Sequence, residues 1–245
     1  TVGMKAPRWP EYFIPEWVRR RLGVIRGSDV TQDPYLRGRV RRFIRDVVKR
    51  YRDRQAVLCW QVENEPLNHA GPDDWYIGER FLRQEIELVR NLDGGRRKLM
   101  LNVATYPNPI LRFLSSFLYT RDPVSLTREL ADIFAVNIYP AVGHKLGRFP
   151  LVFRTGHKGR AAYFKKIFSD VFTGGKPAWI TELQAEPWDP GKLVHTSVRQ
   201  PFTVKPWQIK NSFHEFAAHG AELILLWGIE YWYYRKVAHG DQQWW

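Results

Sequence analysis

Short apolar runs alternate with longer amphipathic patterns along this chain of 245 residues, and the alternation constrains the fold more than any other feature. Six strand-like runs occupy residues 1–6, 56–62, 98–104, 133–139, 176–181 and 221–227. Helix-like patterns occupy residues 35–53, 77–92, 109–119, 125–132, 160–172 and 206–219. This order is typical of βα units around a parallel sheet. We therefore predict an α/β fold and a single domain spanning residues 1–245.

The composition excludes several classes of protein. Hydrophobic residues make up 44% of the chain and charged residues 26%, which is a globular balance and not that of a disordered or fibrous chain. No apolar run approaches the roughly 18–20 residues of a membrane helix. The single cysteine, Cys59, excludes an internal disulfide and a cysteine-based zinc site. The seven histidines are scattered, so we expect no metal site. We also expect no cofactor and a monomer.

The formal net charge of +13 raises the question of nucleic-acid binding. Eight arginines and one lysine lie between Arg37 and Arg54, against two aspartates. The apolar residues of the same segment recur at helical spacing: Leu36, Val40, Phe43, Ile44, Val47, Val48 and Tyr51. We interpret the segment as one amphipathic helix with a solvated basic face, because no nucleic-acid recognition motif accompanies it.

Two glutamates follow strand-like runs. Residues 60–66 read Trp-Gln-Val-Glu-Asn-Glu-Pro, and Pro66 stops strand pairing because it has no N–H to donate. Glu65 thus lies at a strand tip, and Glu182 ends a later apolar run in Ile180-Thr181-Glu182. The carboxyl ends of parallel strands meet at one edge of the sheet. Hydrolysis of a glycosidic bond typically requires two carboxyl groups, and both glutamates would lie at this edge.

Aromatic, basic and amide side chains also follow the predicted strands. They are Arg8, Trp9, Asn64, Tyr106, Tyr139 and Trp227, with Glu186 and Trp188 on the loop after Glu182. Aromatic faces stack on sugar C–H faces, and amides and carboxylates bind hydroxyls. The cluster therefore favours a carbohydrate cleft. Residues 230–232, Glu-Tyr-Trp, could line this cleft, but packing is their default role.

With these motifs, the chain resembles the clan A glycoside hydrolases, (β/α)8 TIM-barrel retaining enzymes that include the cellulase-like family 5. Asn64-Glu65-Pro66 matches the family's acid/base motif at the end of strand four, and Glu182 matches its nucleophile on strand seven. Tyr139 matches the strand-six aromatic, and Trp227 matches the strand-eight tryptophan below the sugar. The resemblance implies that Glu65 and Glu182 are catalytic. It also implies that Asn64, Tyr139 and Trp227 bind substrate, with Trp9, Arg8 and Trp188 as further candidates.

The chain departs from this family at its beginning. If residues 56–62 are strand four, only strand three, residues 1–6, precedes it. Strands one and two would then be absent, together with the arginine that the family places on strand two. Arg8 is a candidate substitute for that arginine. We therefore expect a TIM barrel truncated at its N-terminus, inactive when expressed alone; an extracytoplasmic location remains open if a leader or anchor was lost with the missing segment.

The resemblance predicts a retaining glycoside hydrolase that acts on a β-linked oligo- or polysaccharide. The alternative is a non-catalytic carbohydrate-binding relic of the same barrel, which keeps the aromatic cleft but cannot position substrate. Glu63 lies two residues before Glu65 and therefore shares its face in a continuous strand. We interpret Glu63 as a partner of the catalytic residues rather than as a catalyst.

Overall fold

The computed structural model describes residues 1–8, 10–105, 108–110, 113, 117, 121–173, 175–190, 201 and 203–244. The chain divides into two compact units. Unit 1 comprises Thr1–Ala104 and Arg121–Ala135, and unit 2 comprises Thr105–Thr120 and Val136–Trp245. In the described ranges, none of the helices combines the length and the apolar character needed to cross a membrane.

Seven strands are described: β1 (Trp60–Gln61), β2 (Leu99–Thr105), β3 (Ile133–Ile138), β4 (Ala141–Leu146), β5 (Phe149–Arg154), β6 (Ala178–Gln184) and β7 (Leu223–Trp227). Five of them form one sheet in the order β1-β2-β3-β6-β7. Strand β1 pairs with β2 in parallel, and β6 pairs with β7 in parallel. The α/β class and the parallel sheet are confirmed, whereas the assignment of these strands to positions in a barrel stays a prediction.

Five of the seven described helices lie close to their predicted positions, whereas the helices at Glu16–Arg19 and Glu230–His239 were not predicted. The seven are α1 (Glu16–Arg19), α2 (Pro34–Tyr51), α3 (Glu79–Asp93), α4 (Pro123–Leu130), α5 (His157–Thr173), α6 (Pro206–Ala218) and α7 (Glu230–His239). Asp33 caps α2 by accepting a hydrogen bond from the Leu36 backbone N–H, and Asp122 caps α4 in the same way through Ser125. The predicted helix at 109–119 lies largely outside the described residues.

Helix α2 is amphipathic, as the spacing predicts. Its buried residues are Leu36, Val40, Ile44 and Val48, which pack into the core of unit 1. Two residues assigned to this apolar face from the sequence, Phe43 and Tyr51, are instead exposed at 52% and 43%. The buried stripe is narrower than the apolar pattern because it follows the i, i+4 row that faces the core.

Residues 1–6 were predicted to form a strand, and this prediction is wrong. The segment forms an isolated bridge between Lys5 and Tyr12, and its backbone hydrogen bonds to Gln61 and Asn64 do not extend into a strand. The backbone N–H groups of Met4 and Lys5 donate to the side-chain carboxylate of Glu63, at 3.0 and 2.7 Å. A side chain therefore replaces the backbone acceptors that a continuous ladder needs.

The predicted strand at 56–62 is reduced to the two residues of β1. Residues 52–57 instead form a turn whose carbonyl groups are held by one side chain. The Arg97 guanidinium donates to the carbonyl oxygens of Arg52, Arg54 and Val57, and it pairs with Asp93. Carbonyls occupied by the Arg97 guanidinium are not available to a neighbouring strand.

Strands β4 and β5 form an antiparallel hairpin where the sequence predicts only a long loop. Leu146 pairs with Phe149 across a two-residue turn of Gly147 and Arg148, and Gly147 has a φ of +59°. A glycine with positive φ in a two-residue connection is a typical hairpin signal. The sequence therefore carried evidence for this element.

Candidate functional site

The two predicted catalytic glutamates belong to different units, and each has its own surroundings. We call the residues around Glu65 in unit 1 the Glu65 site, comprising Lys5, Asn64, Glu65, Asn68 and Asn102. We call the residues around Glu182 in unit 2 the Glu182 site, comprising Asn137, Tyr139, Glu182, Glu186 and Trp188. The two sites are described separately.

Glu65 has a left-handed backbone conformation, with φ at +45°. This conformation costs a residue other than glycine about 1–2 kcal/mol, so other contacts must hold it. The Glu65 N–H donates to Asn102 Oδ1 at 2.7 Å, and the Glu65 carbonyl accepts from Lys5 Nζ at 2.7 Å and from the Asn68 N–H at 3.0 Å. The backbone is therefore held on both sides of the Glu65 Cα.

Lys5 is fully buried, and its ammonium group meets three acceptors. It donates to the carbonyl oxygens of Glu65 and Asn68, at 2.7 and 2.8 Å, and lies 3.6 Å from a carboxylate oxygen of Glu11. Burial lowers the pKa of Lys5, while the charges of Glu65, Glu11 and Glu63 oppose the shift. Burial raises the pKa of Glu11, and the charge of Lys5 opposes it.

Asn64 is buried beside Glu65 and has its orientation fixed. Its Oδ1 accepts from Asn102 Nδ2 at 2.7 Å and from Gln61 Nε2 at 3.2 Å, and its backbone N–H donates to the Lys5 carbonyl at 2.9 Å. The side-chain Nδ2 of Asn64 is thus the group that remains to donate to a ligand hydroxyl.

Glu63 does not share a strand face with Glu65, because β1 ends at Gln61. Beyond Gln61, side chains no longer alternate between two faces of a strand. Glu63 is fully buried, and Gly3 allows its approach: a Cβ on Gly3 would lie 2.3 Å from the Glu63 carboxylate. Glu85 of α3 is also fully buried. The Glu85 carboxyl group lies against the Glu63 carboxyl group.

Glu63 and Glu85 form a coupled pair. Burial raises the pKa of Glu63 to about 7, opposed by the Lys5 and Met4 N–H donors. Burial, followed by the charge of Glu63, raises the pKa of Glu85 well above its ordinary value, opposed by the charge of Arg41 on α2. Because two adjacent carboxylates resist joint ionisation, we assign a retained proton to Glu85 at neutral pH.

This pair predicts a pH-dependent stability. Folded pKa values above the unfolded value of 4.5 mean that the folded state binds protons more tightly, so stability is greatest below pH 4.5 and is lost as the pH rises through 7. We expect the free energy of unfolding to fall by an amount on the order of 2–3 kcal/mol between pH 5 and pH 8. Glu85→Gln should be more stable than the wild type at pH 8 and should flatten this dependence in urea unfolding. The exposed Glu87→Gln on the same helix is the control, and an equally steep dependence in Glu85→Gln would contradict the assignment.

In unit 2, Glu182 lies within β6 rather than after it. The strand was predicted to end at Thr181, and it continues to Gln184. The pairing with β7 shifts register between Ile180 and Leu183, so that a bulge contains Thr181 and Glu182. A β-bulge redirects side chains and is frequent next to active sites. The bulge breaks the alternation that marks a strand, and for this reason the sequence predicts too short an element.

The Glu182 carboxylate is buried, with 5% exposure, and is held by Tyr139, which follows β3. The Tyr139 hydroxyl donates to Glu182 Oε2. Beside it, Thr181 Oγ1 donates to Asn137 Oδ1 at 2.7 Å. The Tyr139 ring stacks on Trp188, with ring centroids 4.1 Å apart and an angle of 26° between the planes. The structure therefore brings three predicted site residues together: Tyr139, Glu182 and Trp188.

Glu186 joins this group through Trp188, whose Nε1 donates to Glu186 Oε1 at 3.3 Å. Gly228, directly after Trp227, has a φ of +87°, and a Cβ there would lie 2.4 Å from the Glu186 side chain. The loop after β7 therefore needs glycine to approach Glu186. Trp227 is the last residue of β7 and is half-buried.

The remaining predicted positions are less connected. Arg8 is exposed on the turn between Lys5 and Tyr12, and Trp9 and Tyr106 lie outside the described residues. Residues 230–232 open helix α7: Tyr231 is buried with its ring edge-on to Trp244, and Trp232 Nε1 donates to the Ala185 carbonyl at 2.6 Å. The packing role of these two aromatics is confirmed.

Sequence reasoning missed Lys5, Asn102 and Glu85. Each interrupts an apolar pattern: Lys5 in the run at 1–6, Asn102 in the fully buried part of β2 and Glu85 on the buried face of α3. A polar residue at a core position requires a partner. The sequence thus indicates that each of these residues needs a partner, but it does not identify the partner.

No protein-family model matches the chain, and no curated protein matches it. Solved structures do. The fold is similar to that of a β-galactosidase from the psychrophilic Marinomonas ef1, with a TM-score of 0.54 and 15% identity over 87% of this chain and 42% of that chain. It is also similar to a Bifidobacterium dentium β-glucuronidase, solved with coumarin-3-O-glucuronide, with a TM-score of 0.50 and 18% identity over 82% of this chain and 29% of that one. The chain thus spans less than half the length of either protein and has a glycosidase-like fold.

Proposed function

We propose that this chain carries the catalytic residues of a retaining glycoside hydrolase that acts on a β-linked glycan. The observation that carries the proposal is the Glu182 site, where a buried carboxylate on a β-bulge accepts a hydrogen bond from Tyr139 and lies beside the stacked Trp188. The glycosidase-like fold and the Asn64-Glu65-Pro66 motif support it. We also propose that the chain is related to the clan A glycoside hydrolases, and within them to the cellulase-like family 5.

Glu182 is the proposed nucleophile. Its carboxylate attacks the anomeric carbon, the bond to the leaving oxygen breaks, and a glycosyl-enzyme ester forms. The Tyr139 hydroxyl orients the attacking carboxylate by donating a hydrogen bond to Glu182 Oε2. The bulge supports this role because it fixes Glu182 on a strand rather than on a loop.

Glu65 is the proposed acid/base. It first protonates the leaving oxygen and then removes a proton from the water that hydrolyses the ester. The first step therefore requires Glu65 in its protonated form and the second step requires it ionised. Asn64 Nδ2 donates to the hydroxyl next to the anomeric carbon, a contact that strengthens in the oxocarbenium-like transition state.

Substrate binding is assigned to the aromatic residues near Glu182. Trp227 and Trp188 offer faces for the sugar ring, and Arg8 and Trp9 are further candidates for substrate binding. The proteins with similar folds are a β-galactosidase and a β-glucuronidase, so β-galactosides and β-glucuronides are the first substrates to test.

The test is hydrolysis of 4-nitrophenyl β-D-galactoside, β-D-glucuronide, β-D-glucoside and β-D-mannoside by the natural protein, including any sequence it carries beyond Thr1 and Trp245. Proton NMR should show the β-anomer of the sugar as the first product, because two displacements retain configuration. An α-anomer as the first product would contradict the retaining mechanism. Sugar binding without any turnover would favour the non-catalytic carbohydrate-binding alternative.

A further inference from the structure

The Glu65 site contains a buried ammonium group that the proposed mechanism does not use. Lysine is rarely buried without a partner, because removing its charge from water costs several kcal/mol. Lys5 has no exposed surface, and its side chain contacts a backbone turn formed by Glu65, Pro66, Leu67 and Asn68. The hydrogen bonds from the ammonium group to this turn must therefore offset the cost of burying its charge.

The ammonium group closes the turn at both ends. Glu65 and Asn68 are its first and last residues, joined by the hydrogen bond from the Asn68 N–H to the Glu65 carbonyl at 3.0 Å. Lys5 Nζ donates to both carbonyl oxygens, at 2.7 and 2.8 Å. Pro66 takes the second position of the turn, where proline is favoured because its φ is fixed and no N–H is needed.

The same turn carries the strained residue. With φ at +45°, Glu65 would relax toward the extended region if its carbonyl were released, because the following Pro66 disfavours the right-handed helical region. Such a rotation would move the Cα–Cβ bond and with it the carboxyl group. Asn102 fixes the N–H side of Glu65 and Lys5 fixes the carbonyl side.

We propose that Lys5 is a positioning residue for the acid/base, setting the direction of the Glu65 carboxyl group by holding the Glu65 and Asn68 carbonyl oxygens. This inference rests on the proposed function of Glu65. Lys5 does not contact the substrate and transfers no proton. It determines whether the carboxyl group reaches the leaving oxygen, since a displacement of about 1 Å can cost 100-fold in rate.

The test compares Lys5→Met with the wild type in the natural protein. Backbone hydrogen exchange is measured at Asn68, and kcat/KM is measured on two β-glycosides of the same sugar, one with a 2,4-dinitrophenyl leaving group and one with an alkyl leaving group. The first leaving group needs no protonation, whereas the second does. We expect faster exchange at Asn68, a loss of about 10–100-fold on the alkyl glycoside and a loss within about threefold on the dinitrophenyl glycoside.

The matched control is Arg97→Met. Arg97 is also a nearly buried cation of unit 1 that holds backbone carbonyls, but those of Arg52, Arg54 and Val57. Its replacement should lower the melting temperature without changing the ratio of the two activities. A second variant, Lys5→Met with Glu11→Gln, avoids an unpaired buried carboxylate and keeps the test open if Lys5→Met does not fold.

Unchanged exchange at Asn68, or equal losses on both glycosides, would overturn the positioning role. A wild type that hydrolyses neither glycoside would overturn the proposed function and, with it, the positioning of an acid/base by Lys5. In that case, hydrogen exchange still reports separately whether Lys5 holds the turn.

Discussion

Replacing Glu182 by Gln should abolish turnover, with kcat falling by about 10⁴-fold or more on every substrate that the wild type hydrolyses. Gln keeps the size of the side chain but cannot form the glycosyl ester. Initial rates on the preferred 4-nitrophenyl β-glycoside measure the effect. The loss should not depend on the leaving group, because both steps pass through the ester.

The control for this variant is Glu222→Gln, which removes an exposed carboxylate of the same unit and should retain wild-type activity. Melting temperatures separate loss of the nucleophile from loss of the fold. The Tyr139 hydroxyl can still donate to the amide oxygen, so we expect the two variants to melt within a few degrees of each other. Activity of Glu182→Gln near that of the wild type would contradict the assignment.

Replacing Glu65 by Ala should give a different pattern, in which the loss depends on the leaving group. Without the acid, an alkyl β-glycoside should be cleaved about 10²–10⁴-fold more slowly. A 2,4-dinitrophenyl glycoside should still form the glycosyl-enzyme, but its hydrolysis should be slow because the base is missing. A burst of dinitrophenol followed by a slow steady state is the expected time course.

Azide provides a positive check on Glu65→Ala. A small anion needs no deprotonation to attack the glycosyl-enzyme, so added azide should raise the steady-state rate and yield a β-glycosyl azide. Azide should have no such effect on Glu182→Gln, which forms no ester. Equal losses on both leaving groups and no effect of azide would contradict the acid/base role.

The element types followed from the sequence, because periodicity and apolar runs record which face is buried. Helices α2, α3 and α6 begin and end within about two residues of their predicted bounds. The two strands that the sequence overpredicts, at residues 1–6 and 56–62, share one cause: side chains take over backbone hydrogen bonds there. Glu63 replaces a ladder at residues 4–5, and Arg97 occupies the carbonyls before β1. Such pairings join residues far apart in sequence and leave no periodic signal.

The candidate site was partly predictable in the same sense. The positions of Glu65, Tyr139 and Glu182 followed from strand ends and from the resemblance to a family. The bulge at Thr181 and Glu182 did not follow, since a register shift depends on the pairing with β7. Nor did the role of Lys5, since it required the φ of Glu65 and the course of the turn as far as Asn68.

The central claim is that Glu182 is the nucleophile, and trapping the glycosyl-enzyme tests it most directly. A 2-deoxy-2-fluoro β-glycoside with a dinitrophenyl leaving group slows the second step more than the first, so that the ester accumulates. Mass spectrometry of proteolytic peptides should then place one fluoroglycosyl group per chain on Glu182, and Glu182→Gln should remain unlabelled. Labelling at Glu63 or Glu186, or labelling that persists in Glu182→Gln, would contradict the account.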